Sequence, residues 1–221
     1  MKVEMWADVM CPWCYLGHLR LRSALARFAH ADEVRTVWRS FELRPEQPRL
    51  PGAELGQMMQ TNHGLDTGRL AELFGRIEGL VRQEGGRAVM TGLRPVNSFD
   101  AHRLIHLADS EGLAAETVDR LFRAYFAEHE NVADRGVLLA VAEEVGLPSD
   151  RATAVLAGVE YGQDVRDDER GATEAGVTSV PTFFADGSPV AVGASSVDDL
   201  VAALERAWQA GALSGRGGAG A

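Results

Sequence analysis

"DVMCPWCYLGHLRLRSALARF", Asp8 to Phe28, holds both cysteines of the 221-residue chain, three positions apart. The stretch before it, "VEMWADV", is short and mostly apolar and reads as a strand. After it Leu16, Leu19, Leu25 and Phe28 recur at roughly helical spacing. Cys11 and Cys14 therefore fall where a strand turns into a helix. At i and i+3 they share one face of its first turn, close enough for a strained but feasible disulfide. Pro12 suits that start, because the N–H it lacks would have had no intrahelical acceptor. Cys11 lies nearer the unpaired N–H groups and the positive end of the helix dipole, which favours thiolate and makes it the expected nucleophile. Cys14, deeper in the helix, is the expected resolving thiol. Trp13 brings no positive charge to the neighbouring sulfur.

Outward from this segment, "VRTVWRSFEL" is a second strand rich in β-formers, ended by the proline-bearing "RPEQPRLPG". Strand, helix, strand is the start of a parallel βαβ unit. From about Glu54 to Gln163 the pattern changes to helical segments separated by glycines, with Asn97 or Ser98 as a candidate cap of "FDAHRLIHLADSEG". A further helix, "GQDVRDDERGATEAG", precedes "VPTFFADGSPVAV", two strands joined at Asp186-Gly187, and "SSVDDLVAALERAWQAG" supplies a capped last helix. The predicted division is a βαβ half over 1–48, an inserted helical domain over 49–163, a ββα half over 164–212 and a disordered tail over 213–221.

With 46% apolar residues the chain can fill a real core, and its net charge of −10 without a long basic cluster argues against nucleic acid or an anionic membrane as partner. No apolar run approaches the roughly 20 residues that span a bilayer, and Glu4 and Asp8 interrupt the region a secretory signal would need. The expected location is the cytoplasm. A close cysteine pair in that reducing compartment points to catalysis, redox sensing or metal binding more than to a structural disulfide.

The motif "DVMCPWCYLG" near the amino end and "GVTSVPTFFADG" near the other, with a helical segment between them, resemble the thioredoxin superfamily, and within it the DsbA-like thiol oxidoreductases of the FrnE type. The resemblance covers almost the whole chain through two short motifs and their order. It implies an α/β thioredoxin fold with an inserted all-helical domain. It also implies a cis-proline at Pro181, after Val180, facing the cysteines, and a backbone at Val180 that pairs with an extended substrate. "NSFDAHRLIHLA" is similar to a segment of the FrnE relatives, which carries Asn97, Ser98 and His102 over to the domain interface. The expected partners are a disulfide-containing protein or small molecule, with no bound cofactor and with glutathione or another thiol as a possible redox partner.

Plainer readings stand beside these. The cysteines are alternatively small core residues, or half of a zinc site completed by His102 and His106, which are spaced i, i+4. Pro181 is otherwise an ordinary trans-proline at a strand start. Asp8 is a capping or solvent-exposed residue, or a proton acceptor near Cys14. His18 reads as an exposed helix histidine, His102 and His106 as interface or surface residues, and "DVRDDER" as a solvated helix face. Trp6, Trp38, Phe122, Tyr125 and Phe126 read as core. Two rival functions remain: an isomerase of the 2-hydroxychromene-2-carboxylate type, which shares the fold, uses glutathione and commonly has serine in place of the first cysteine, and a non-catalytic binding or chaperone module with a redox switch.

Overall fold

The computed structural model describes residues 1–216. Its centre is β1 (Lys2–Ala7), which enters α1 (Pro12–Arg27) and returns in β2 (Arg35–Ser40). β1 and β2 run parallel with Lys2 opposite Arg35 and Ala7 opposite Ser40. On its other side β1 pairs antiparallel with β3 (Thr182–Ala185), which pairs with β4 (Ser188–Val192), so the sheet order is β2-β1-β3-β4. Asp186 and Gly187 both take positive φ, 46° and 80°, the backbone of a type I′ turn whose twist suits the strands it joins. The Asp186 carboxylate also accepts the N–H of Lys2 at 2.7 Å, fixing the turn to β1. Pro189 lies in the edge strand β4, where a missing donor is tolerated.

Side-chain alternation along the central strands gives the sheet two buried faces. Val3, Met5, Phe183 and Ala185 join the large core with α1. Trp6 and Phe184, their rings edge-on at 4.9 Å, form a smaller core on the other face with Ala172 and Val177. Between the two halves of the sheet lie α2 (Leu55–His63), α3 (Thr67–Gln83), α4 (Phe99–Ser110), α5 (Ala114–Phe126), α6 (Arg135–Glu144) and α7 (Ser149–Ala157). These helices share one continuous core with β1, β3 and α1. The join is aromatic: Tyr15 of α1 stacks on Phe122 at 4.8 Å and on Phe126 at 5.5 Å, both from α5.

Two boundaries differ from those the sequence suggests. The division at 163/164 falls inside α8 (Gly162–Glu174), whose buried face packs against β2 and α4. The last helix, α9 (Val197–Arg216), continues through residues 213–216, where the sequence suggests a disordered tail; residues 217–221 of that tail lie outside the described residues. "DVRDDER" is also not simply a solvated face, because Val165 and Asp168 are buried. Asp168 is drawn in by three donors: Arg39 Nη1 at 2.9 Å, the Ser40 N–H at 2.9 Å and His106 Nε2 at 3.3 Å.

Burial works to raise the Asp168 pKa, but the hydrogen bonds from His106 and Ser40 and the charges of Arg39 and His106 outweigh it and hold it below the usual value. A carboxylate depressed in the native state stabilises above the unfolded value of about 3.9, and that contribution is lost as pH falls through the native one. Asp168→Asn is therefore expected to lower Tm at pH 7, with the gap to the parent narrowing below about pH 4. A gap that stays constant in thermal melts down to pH 2 would rule the linkage out.

Candidate active site

α1 begins at Pro12, so Cys11 is its N-cap, in extended backbone at φ −88° and ψ 116° and with no side-chain capping bond. No acidic residue occupies the first turn, so the amino end of the helix stays electropositive beside the Cys11 sulfur. Both cysteines are free; Cys11 is 4% exposed and Cys14 is fully enclosed. Burial, first, pushes the Cys14 thiol well above its ordinary pKa; its hydrogen bond with Cys11 and the charges of Cys11 and Asp8 push the same way, against a backbone hydrogen bond from Asp8. Trp13 is partly buried against the core.

Pro181 is buried and closes on the same helix. A Cβ at Gly17, one turn beyond Cys14, would lie 2.8 Å from Pro181 Cγ and 3.3 Å from Phe183 Cζ. Only glycine allows so close an approach. Gly17→Ala is expected to cost about 1–3 kcal/mol through overpacking, visible as a lowered midpoint in denaturant. An unchanged midpoint would mean that Pro181 and α1 separate freely. The Val180–Pro181 bond is cis. Among the described residues neither the N–H nor the C=O of Val180 has a hydrogen-bond partner.

Asp8 is neither exposed nor a helix cap. It is completely buried, with Oδ1 accepting the Met10 N–H at 3.1 Å and Oδ2 the Leu43 N–H at 2.7 Å, so it closes the turn into α1 and pins the loop after β2. His102 is also completely buried, with Nε2 3.6 Å from Asp8 Oδ1. His106, one turn on, instead meets Asp168 and the Ser40 hydroxyl. The two histidines thus face different carboxylates, and no cluster of three or more His, Cys, Asp or Glu among the described residues is placed to hold a metal ion. Asn97 lies where α4 meets the loop after β2, accepting the Phe99 N–H at 3.1 Å and donating to Glu42 Oε1 at 3.2 Å and the Pro45 carbonyl at 3.0 Å. Ser98 occupies the N-cap position without a side-chain bond, so the capping is done by Asn97. His18 is not an exposed histidine: Asp119 holds its Nε2 at 3.0 Å, and its ring packs near Phe122 and Trp38.

Glu42 carried no signal in the sequence, since it follows a strand and precedes a proline loop, where acidic residues are ordinarily solvated. Its side chain is enclosed, bound by Arg166 Nη1 at 2.6 Å and by Asn97.

A βαβ unit and a ββα unit completing one sheet, with a C-x-x-C pair at the amino end of the first helix, define a thioredoxin-like protein. The chain belongs to the DSBA-like thioredoxin domain family, whose model matches residues 2–205. It superposes with TM-score 0.90 on the crystal structure of a probable DsbA oxidoreductase from Streptomyces coelicolor, at 34% identity over 95% of this chain and 90% of that one. It is 28% identical to the uncharacterized protein YwbO of Bacillus subtilis (strain 168) over 89% of this chain and 92% of that protein. A 2-hydroxychromene-2-carboxylate isomerase shares the fold with TM-score 0.69 at 18% identity, covering 96% of this chain and 98% of that one. No helix among the described residues is long and apolar enough to cross a membrane.

Proposed function

We propose that the protein is a thiol–disulfide oxidoreductase acting through Cys11 and Cys14. The observation that carries this reading is the pair itself: one free thiol at an uncapped, electropositive helix end and a second free thiol enclosed behind it. The Cys11 thiolate attacks a substrate disulfide R–S–S–R′, forming Cys11–S–S–R and releasing R′S⁻. Cys14, once deprotonated, attacks the Cys11 sulfur, forming the Cys11–Cys14 disulfide and releasing RS⁻. The same steps in reverse oxidise a dithiol substrate. Pro12 starts the helix, Trp13 is partly buried against the core, and the unpaired Val180 backbone next to Pro181 pairs with an extended substrate.

The substrate is a disulfide-bearing protein or small molecule, and glutathione or another thiol regenerates the dithiol from outside the fold. The FrnE type and a cytoplasmic location belong to this reading. Fold likeness to an isomerase does not choose the chemistry, because function lives in the site residues. Here both thiols are present, and an isomerase has no use for a resolving thiol.

Insulin reduction with dithiothreitol as donor, run beside glutathione-dependent isomerisation of 2-hydroxychromene-2-carboxylate, tests the proposal. Insulin turnover without isomerisation is the expected result; isomerisation without reductase activity would overturn it, and so would neither activity.

A further inference from the structure

Arg20 of α1 stands where three parts of the chain meet. Its guanidinium donates from Nε to Glu84 Oε1 at 3.0 Å and from Nη1 to the Ala194 carbonyl at 2.6 Å, with the Ser195 carbonyl at 3.4 Å. Glu84 closes α3 as its C-cap, and Ala194 and Ser195 lie between β4 and α9. Both charges run against local rules. A carboxylate at the carboxyl end of a helix opposes the helix dipole, and an enclosed guanidinium gives up its hydration. The side chains of Arg20 and Glu84 are only 14% and 17% exposed. Sequences break such rules mainly at functional or strained sites.

The loop that Arg20 grips leads directly to Pro181. Gly193 donates its N–H to the Pro181 carbonyl at 2.7 Å, and its φ of 73° is backbone that glycine adopts without strain. The Ser195 N–H in turn donates to the Gly193 carbonyl at 2.9 Å, so residues 193–195 form one closed turn. Gly17, three residues before Arg20 and on the same face of α1, makes the close approach to the Pro181 ring. The helix that carries Cys14 therefore holds Pro181 twice, by packing at Gly17 and by hydrogen bonds through Arg20. Val180, with its unpaired backbone, directly precedes this held point.

We infer that Arg20 is a positioning residue for substrate: through Ala194 and Gly193 it fixes the Pro181 carbonyl, and with it the Val180 N–H and C=O that receive an extended polypeptide. The inference rests on the oxidoreductase reading and deepens it by naming what sets the docking edge. A strand added at an edge is held by main-chain hydrogen bonds that weaken steeply with angle, so a small turn of the Val180 peptide loosens it. The planar fork of an arginine serves Glu84 and the Ala194 carbonyl at once, whereas a lysine ammonium keeps the charge and loses the shape. Arg20 acts on substrate only through this loop.

Arg20→Lys and the parent are compared on two disulfides. Insulin, with dithiothreitol as donor, offers a polypeptide backbone beside its disulfide; 5,5′-dithiobis(2-nitrobenzoate) offers none, and its first thionitrobenzoate release reports attack by Cys11. In Arg20→Lys the KM for insulin should rise roughly tenfold, part of the about 10²-fold that a misplacement of about 1 Å can cost, and this rise should exceed any change in kcat or in the first release. Glu84→Gln keeps an acceptor and removes the charge that aims the fork; it should raise the same KM and decides the question if Arg20→Lys does not fold. A parental KM in the folded variant overturns the inference, because Arg20 is then an ion pair and nothing more. So does an equal slowing on both disulfides, the mark of a general loss of structure around the thiols. The oxidoreductase reading fails separately, when the unsubstituted protein reduces no insulin.

Discussion

Cys11→Ser is expected to abolish insulin reduction, while Cys14→Ser leaves a protein that still attacks disulfides and accumulates them as mixed adducts. The asymmetry follows from where α1 places each sulfur. Cys11 occupies the N-cap position at the positive end of the helix, whereas Cys14 is enclosed and its thiol pushed up by burial, so on the proposed mechanism the first and not the second attacks the substrate. Without Cys11 nothing starts the exchange; without Cys14 the first step proceeds and the second has no attacking group. Peptide mass spectrometry after exposure to oxidised glutathione reads the outcome directly: a stoichiometric adduct on Cys11 in Cys14→Ser and none on Cys14 in Cys11→Ser. Adducts on Cys14 in the Cys11→Ser protein, with none in the converse, would reverse the assignment.

Phe122→Ala should remove about 3–5 kcal/mol of stability, roughly 6–20 °C in Tm for a domain of this size. Phe122 is fully enclosed, stacks on Tyr15 and meets Trp38 at 5.7 Å, so one side chain of α5 holds both the cysteine helix and β2. Its loss opens a cavity where the helical segment meets the sheet. Because the core is continuous there, the variant should still unfold in one transition, with far-UV circular dichroism and tryptophan fluorescence coincident. Two separated transitions would mean that the helices form an independent domain.

The features legible in the sequence were those set by local chemistry. The spacing of Leu16 and Leu19, the proline after Cys11 and the Asp186-Gly187 turn each specify structure within a few residues. The environment of charged residues was not legible, because it is made by partners far along the chain. Asp8 is buried by the N–H of Leu43 and the ring of His102, His18 by Asp119, and Asp168 by Arg39. Each alone has the look of a surface residue, and no periodicity announces which distant donor will cover it. The division after 163 already gives most of α8 to the sheet half and misses the start of the helix by two residues, because Gly162 and Gln163 continue the helical character of the segment before them and α8 packs on both β2 and α4.

The order of strands has a consequence for synthesis. β1 pairs on one side with β2, which follows closely, but the partner of its other edge, β3, begins at Thr182. At about 5–20 residues per second, a ribosome needs roughly 7–28 s to travel from the end of β2 to the start of β3. Throughout that interval the emerging chain carries both thiols, and the edge of β1 that β3 fills has no strand beside it. The sheet therefore closes only once β3 has been made, after every helix of the middle segment.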